Sequence, residues 1–149
     1  MTSIPLFDLP IEHAVFVRAE PERIYDAFTT APGLDGWFTE GSEVQPWPGG
    51  QMIWRWKAWG PDRVTDTDGG PVLEARRPER FVFQWGEKRG KLTTIAVDFE
   101  RVEGGTVVRL RHTGYEDTPA ERAHMLNCAT GWGEALTLLK FYVEHGLRY

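Results

Sequence analysis

Between Ile11 and Arg18 the chain alternates: Ile11, His13, Val15 and Val17 share one side of an extended segment, and this period of two predicts an opening strand. The period then changes. Pro21 stands where the first residue of a helix would, since its ring fixes φ near the helical value and its missing N–H would be unpaired there in any case. Ile24, Tyr25, Ala27 and Phe28 follow at helical spacing and predict a helix of about two turns. Pro32-Gly33 is expected to break that helix, and Leu34–Phe38 to form a second helical turn ending in the aromatic pair Trp37-Phe38.

From Gly49-Gly50 the period returns to two. Met52, Trp54, Trp56 and Ala58 fall on one face and Ile53, Arg55, Lys57 and Trp59 on the other, as in a long half-buried strand. Gly60-Pro61 and Asp66–Pro71 read as turn clusters, followed by short strands at Val72–Ala75 and Arg80–Trp85, the second with Phe81, Phe83 and Trp85 on one face. Thr93, Ile95, Val97 and Phe99 repeat the alternation, Glu103-Gly104-Gly105 makes a hairpin turn, and Thr106–Thr113 aligns Val108, Leu110 and His112. These segments predict an antiparallel meander. Thr118-Pro119-Ala120-Glu121 has the form of a capping box with Pro at the first helical position. A helix running from there to about Glu144 is ~39 Å long at 1.5 Å per residue. Met125, Ala129, Trp132, Leu136, Leu139 and Val143 form its apolar stripe.

Strand, two short helices, meander and long helix make an α+β domain in which one curved sheet must cover a rod. Sheet and rod cannot touch everywhere, and aromatic-lined concavities of that kind are common ligand sites. Seven Trp among nineteen aromatics exceed what a core of this size needs for filling. Phe38, Trp54, Trp56, Phe83, Trp85, Met125 and Trp132 are therefore the candidate lining of a cavity, with the alternative that they are simply core. His112, on the buried face of the last strand, is placed pointing into the same space. Gly131 and Gly133 flank Trp132 inside the long helix, where each costs roughly 1 kcal/mol relative to Ala. Close packing of helix on sheet is the expected reason, a soft point that lets the helix flex the alternative.

The totals narrow the partners. The 149 residues fit one domain spanning 1–149, and 41% hydrophobic with 26% charged residues is an ordinary globular composition. A net charge of −5 argues against nucleic acid. Cys128 is alone, Met1–Pro10 has neither a cationic region nor a long apolar run, and no stretch reaches the ~20 apolar residues that span a bilayer. A cytoplasmic setting without membrane insertion is the expectation. His124 and Cys128 lie one helical turn apart, but no third and fourth metal ligand accompanies them, and no cofactor is expected. Neither a nucleophile with its base, nor paired carboxylates, nor a phosphate loop is legible; Asp68-Gly69-Gly70-Pro71 lacks the Lys-Ser/Thr of a P-loop. The sequence therefore points to no catalytic residue.

The run Ala19–Phe28, then Leu34 and Trp37-Phe38, resembles the opening of the Aha-type domains of the START-like superfamily, named for the C-terminal domain of the heat-shock-protein ATPase activator. Gly49-Gly50 before an aromatic strand, Leu110–Tyr115, and Gly131-Trp132 followed by Leu136 and Leu139 are similar to its later landmarks, in order and over nearly the whole chain. The resemblance implies a helix-grip (START-like) fold, a curved antiparallel sheet wrapped around a long C-terminal helix. It also implies a range of functions: hydrophobic-ligand binding, polyketide cyclisation with His112 or Tyr115 as acid–base group, or docking to a protein partner of the chaperone kind. A binding module for a hydrophobic or aromatic small molecule is the leading expectation. An apolar exterior near Trp47 and Trp59 over a filled interior would favour the protein partner instead.

Overall fold

The computed structural model describes residues 3–149, so Met1 and Thr2 of the Met1–Pro10 stretch lie outside it. Strand β1 (Ile11–Val17) leads into helices α1 (Pro21–Thr29) and α2 (Ala31–Trp37), then the short β2 (Glu43–Val44). The meander follows as β3 (Gln51–Trp59), β4 (Val64–Arg76), β5 (Arg80–Trp85), β6 (Thr93–Val102) and β7 (Gly105–Thr113), and the chain closes with α3 (Pro119–His145). All seven strands form one sheet in the order β1-β7-β6-β5-β4-β3-β2, every neighbouring pair antiparallel. The architecture is the α+β helix grip.

Three local readings are corrected. Pro32-Gly33 does not separate the helices but lies in the first turn of α2, where proline is tolerated; the break falls at Thr30, whose hydroxyl accepts from the Gly33 amide at 3.1 Å. Asp66–Pro71 is not a turn but the first half of the thirteen-residue β4. Its glycines serve close approach rather than reversal: a Cβ at Gly70 would stand 1.9 Å from the Gln84 carbonyl oxygen, and one at Gly69 2.2 Å from that of Met52. In the α3 capping box, Thr118 Oγ1 accepts from the Glu121 amide at 3.2 Å, but the Glu121 carboxylate turns away to Arg89 instead of reaching back.

The core is closed at one end of the grip. Ile24, Phe28, Leu34 and Trp37 from the two short helices meet Val97, Val108, Leu136 and Leu139, all fully buried. The buried apolar residues of helix α3 all lie in its second half, at Trp132, Ala135, Leu136, Leu139 and Val143, with Glu121 of the first turn the one buried residue before them. Over 122–131 no residue is fully buried, and Met125, Cys128 and Ala129 are half-covered. The first half of the rod therefore stands off the sheet. It is held there by the β5–β6 loop, where Arg89 Nη1 donates to the buried Glu121 carboxylate at 2.8 Å. The space under it is the cavity described next.

Candidate ligand cavity

Alternation along β3 turns Trp54 and Trp56 to the concave side. Trp59, three residues on, should point to the opposite face. It does not. The register slips between Trp56 and Trp59, Ala58 takes φ 50°, and the bulge brings Trp59 round beside the others. Phe38, at the end of α2, is the hub of this group: its ring lies 4.9 Å from Trp54, 5.5 Å from Trp56, 5.5 Å from Trp59 and 5.9 Å from Trp132. Trp85 of β5 completes the wall, 5.6 Å from Trp54 and 5.7 Å from Trp56. These six rings and Tyr115 line a half-open, mostly apolar cavity of about 550 Å³ between the sheet and the first half of α3.

Of the residues expected to form the lining, Phe38, Trp54, Trp56, Trp85 and Trp132 are in it, while Phe83, His112 and Met125 are not among the residues that border it. Phe83 stands behind Trp54 at 5.1 Å, supporting the wall from the core side. Met125 yields its place to the helix face carrying His124, Asn127, Cys128 and Gly131, an i, i+3, i+4, i+7 set that does border the cavity. That spacing is present in the sequence but is disguised by its polar members.

His112 faces inward, as its parity with Val108 and Leu110 required, and is 1% exposed. Both of its nitrogens are spent on the fold. Nδ1 accepts from the Trp132 indole N–H at 3.1 Å, so Nε2 carries the proton and donates to Thr93 Oγ1 at 2.7 Å. Burial, and secondarily the Arg89 charge, lower its pKa to about 3. His112 thus holds the Trp132 ring in place from behind. Tyr115 is similarly engaged: its hydroxyl donates to Cys128 Sγ at 2.8 Å, and burial drives both the phenol and the thiol up from their ordinary values.

The reason expected for the helix glycines also changes. A Cβ on Gly131 would meet nothing within 4 Å, and one on Gly133 would make ordinary contact with His13 at 3.7 Å. Neither glycine is needed for close packing. Gly131 leaves open space in the cavity wall.

The indole nitrogens divide into two groups. Trp37 donates to the Ala27 carbonyl at 2.9 Å and Trp132 to His112, but the buried N–H groups of Trp54, Trp56, Trp59 and Trp85 have no hydrogen-bond partner. Their rings meet neighbours edge to face, as in Trp54–Trp56 at 73° and Phe38–Trp59 at 86°, a preferred packing of aromatic pairs. At the mouth stand Asp66, Asp68, Lys88 and Arg89. Lys88 is ion-paired to Asp66, whose carboxyl that contact holds below the usual range. Among the described residues no three His, Cys, Asp or Glu side chains gather in a way that could hold a metal ion, and no helix is long and apolar enough to cross a membrane.

A curved seven-stranded antiparallel sheet gripping one long C-terminal helix defines the START-like class. Residues 18–144 match the family model of Activator of Hsp90 ATPase homolog 1-like proteins, and the chain belongs to that family. Among solved structures it is similar to the Aha1 dimer from Colwellia psychrerythraea, with 28% identity and a TM-score of 0.75 over 93% of this chain and 98% of that one. It is similar in fold to SSP2350 from Staphylococcus saprophyticus, with 21% identity and a TM-score of 0.75 over 95% of this chain and 96% of that one. DynU16, a putative protein of the dynemicin biosynthetic locus, shares the fold at 17% identity and a TM-score of 0.78, covering 96% of this chain and 51% of its own. No curated protein matches this chain.

Proposed function

We propose that this protein is a binding module for an apolar or aromatic small molecule, held between the concave sheet and the first half of α3. The observation that carries this reading is the cavity of about 550 Å³ walled by seven aromatic residues, a volume within the usual range of small-molecule sites. A space of that size lined by rings is poor packing unless something enters it, because unfilled volume forfeits dispersion contacts.

Two features favour binding over the other readings. A general acid or base works best with a pKa near the working pH, and burial moves both His112 and Tyr115 away from neutrality. A protein-docking exterior calls for exposed Trp47 and Trp59 over a filled interior; Trp47 is exposed, but Trp59 belongs to the cavity wall and the interior is open.

The test titrates 1-naphthol and phenanthrene against the protein while following tryptophan emission and melting temperature. Both should respond, and Gly131→Leu, which places a side chain in the open part of the wall, should abolish the response without loss of stability. Unchanged emission and melting temperature across both compounds would sink the reading.

A further inference from the structure

Resting on the binding reading above, we infer that the cavity selects a cationic guest without N–H donors, such as a quaternary ammonium or a delocalised aromatic cation. Three observations on the wall carry this. First, tryptophan presents the strongest π surface for a cation, and five tryptophans with Phe38 and Tyr115 border one space. Second, the indole N–H groups that could have received an anion or a carbonyl are withdrawn: those of Trp54, Trp56, Trp59 and Trp85 are buried in the wall. What the rings offer the cavity is π surface, which attracts positive charge and repels negative.

Third, of the four charged side chains at the mouth, Asp66, Asp68, Lys88 and Arg89, whose charges sum to zero, only Asp68 lacks a charged partner among the described residues. Lys88 is neutralised by Asp66, and Arg89 by Glu121, with the Arg89 guanidinium also lying 5.8 Å from the Tyr115 ring centre. Asp68 is in no ion pair among the described residues; its Oδ1 accepts from the backbone amides of Gly69 at 2.7 Å and Lys88 at 3.1 Å. Those two bonds fix the carboxylate at the cavity border with its charge uncompensated by a side chain. The demand for a guest without N–H donors follows from the same wall. A primary ammonium would leave donors unpaired among rings, whereas a quaternary centre is weakly hydrated and has none to satisfy.

Calorimetric titration of the intact protein with benzyltrimethylammonium, its carbon isostere neopentylbenzene, and phenylmethanesulfonate decides the matter. Shape is held constant across the first pair while charge changes. The cation should bind at least about tenfold tighter than the carbon isostere, and the sulfonate weakest. Asp68→Asn keeps an oxygen for the two backbone amides and should lower cation affinity several-fold while leaving neopentylbenzene unchanged. Trp56→Leu, which replaces a π face by a smaller aliphatic side chain, should lower cation affinity more than it lowers neopentylbenzene affinity. Neopentylbenzene or the sulfonate binding as tightly as the cation would overturn the inference and leave the apolar-binding reading standing. No binding by any of the three, together with silence towards 1-naphthol, would overturn both. A cation preference that Asp68→Asn leaves intact would remove Asp68 as the counter-charge.

Discussion

His112 shows how one buried polar side chain can organise a cavity wall without bordering the cavity. Its two hydrogen bonds join β6, β7 and α3 at the back of the cavity, through Thr93 and Trp132. His112→Phe keeps the ring volume but orphans the Trp132 N–H and the Thr93 hydroxyl, and is expected to lower unfolding free energy by roughly 2–4 kcal/mol at pH 7. The wild-type protein should also lose stability in acid. The unfolded histidine binds a proton below its ordinary value of 6.5, the folded one only near about 3. Stability from this group is thus complete above 6.5 and drains away as pH falls between those values, by at most about 1.4 kcal/mol per unit. Denaturant unfolding at pH 7, 6, 5 and 4 should show this slope in the wild type and a shallower one in His112→Phe. Equal slopes would mean that the imidazole is charged or solvated in the fold.

At the scale of elements, α3 is two helices in function though one in backbone. Its second half carries the fold: Leu136 is wholly buried, and Leu136→Ala should cost about 2–5 kcal/mol. Its first half carries the cavity. Because a Cβ at Gly131 meets open space, Gly131→Ala should raise stability by about 0.5–1 kcal/mol through helix propensity alone. A destabilisation measured by urea unfolding would show that the glycine serves packing or flexing after all. The contrast between the two substitutions locates the boundary between core and cavity within five residues of one helix.

For the whole molecule, the expected consequence of an open interior is linkage between guest and stability. A ligand at about one hundred times its dissociation constant adds roughly 2.7 kcal/mol to the folded state, which for a domain of this size raises the melting temperature by about 5–10 °C. Differential scanning fluorimetry with saturating guest should show that rise in the wild type and not in Gly131→Leu. The START-like grip makes this arrangement possible, because the end of the grip occupied by α1 and α2 is solid with Ile24, Phe28, Leu34 and Trp37. That packed end supplies the stability, so the other end need not be filled.

The sequence by itself determined the elements and most of their inward faces, because helix and strand periods are local and the capping and turn residues sit next to what they terminate. The opening strand, the meander, the long helix from Pro119 and the inward parity of His112 all follow from spacing alone. So does the membership of Phe38, Trp54, Trp56, Trp85 and Trp132 in one concave surface. Tertiary structure decided the rest. Trp59 joined the wall through a bulge that alternation cannot reveal, and Asp66–Pro71 became strand because its glycines admit the backbones of β3 and β5. The carboxylate of Glu121 left its capping box for an arginine 32 residues away in the chain. His112 and Met125 lost the cavity-facing position to Tyr115, Cys128 and Gly131, since which side of an inward residue meets open space depends on how far the rod stands from the sheet. That separation is set by contacts between elements distant in the chain, and local periodicity carries no record of them.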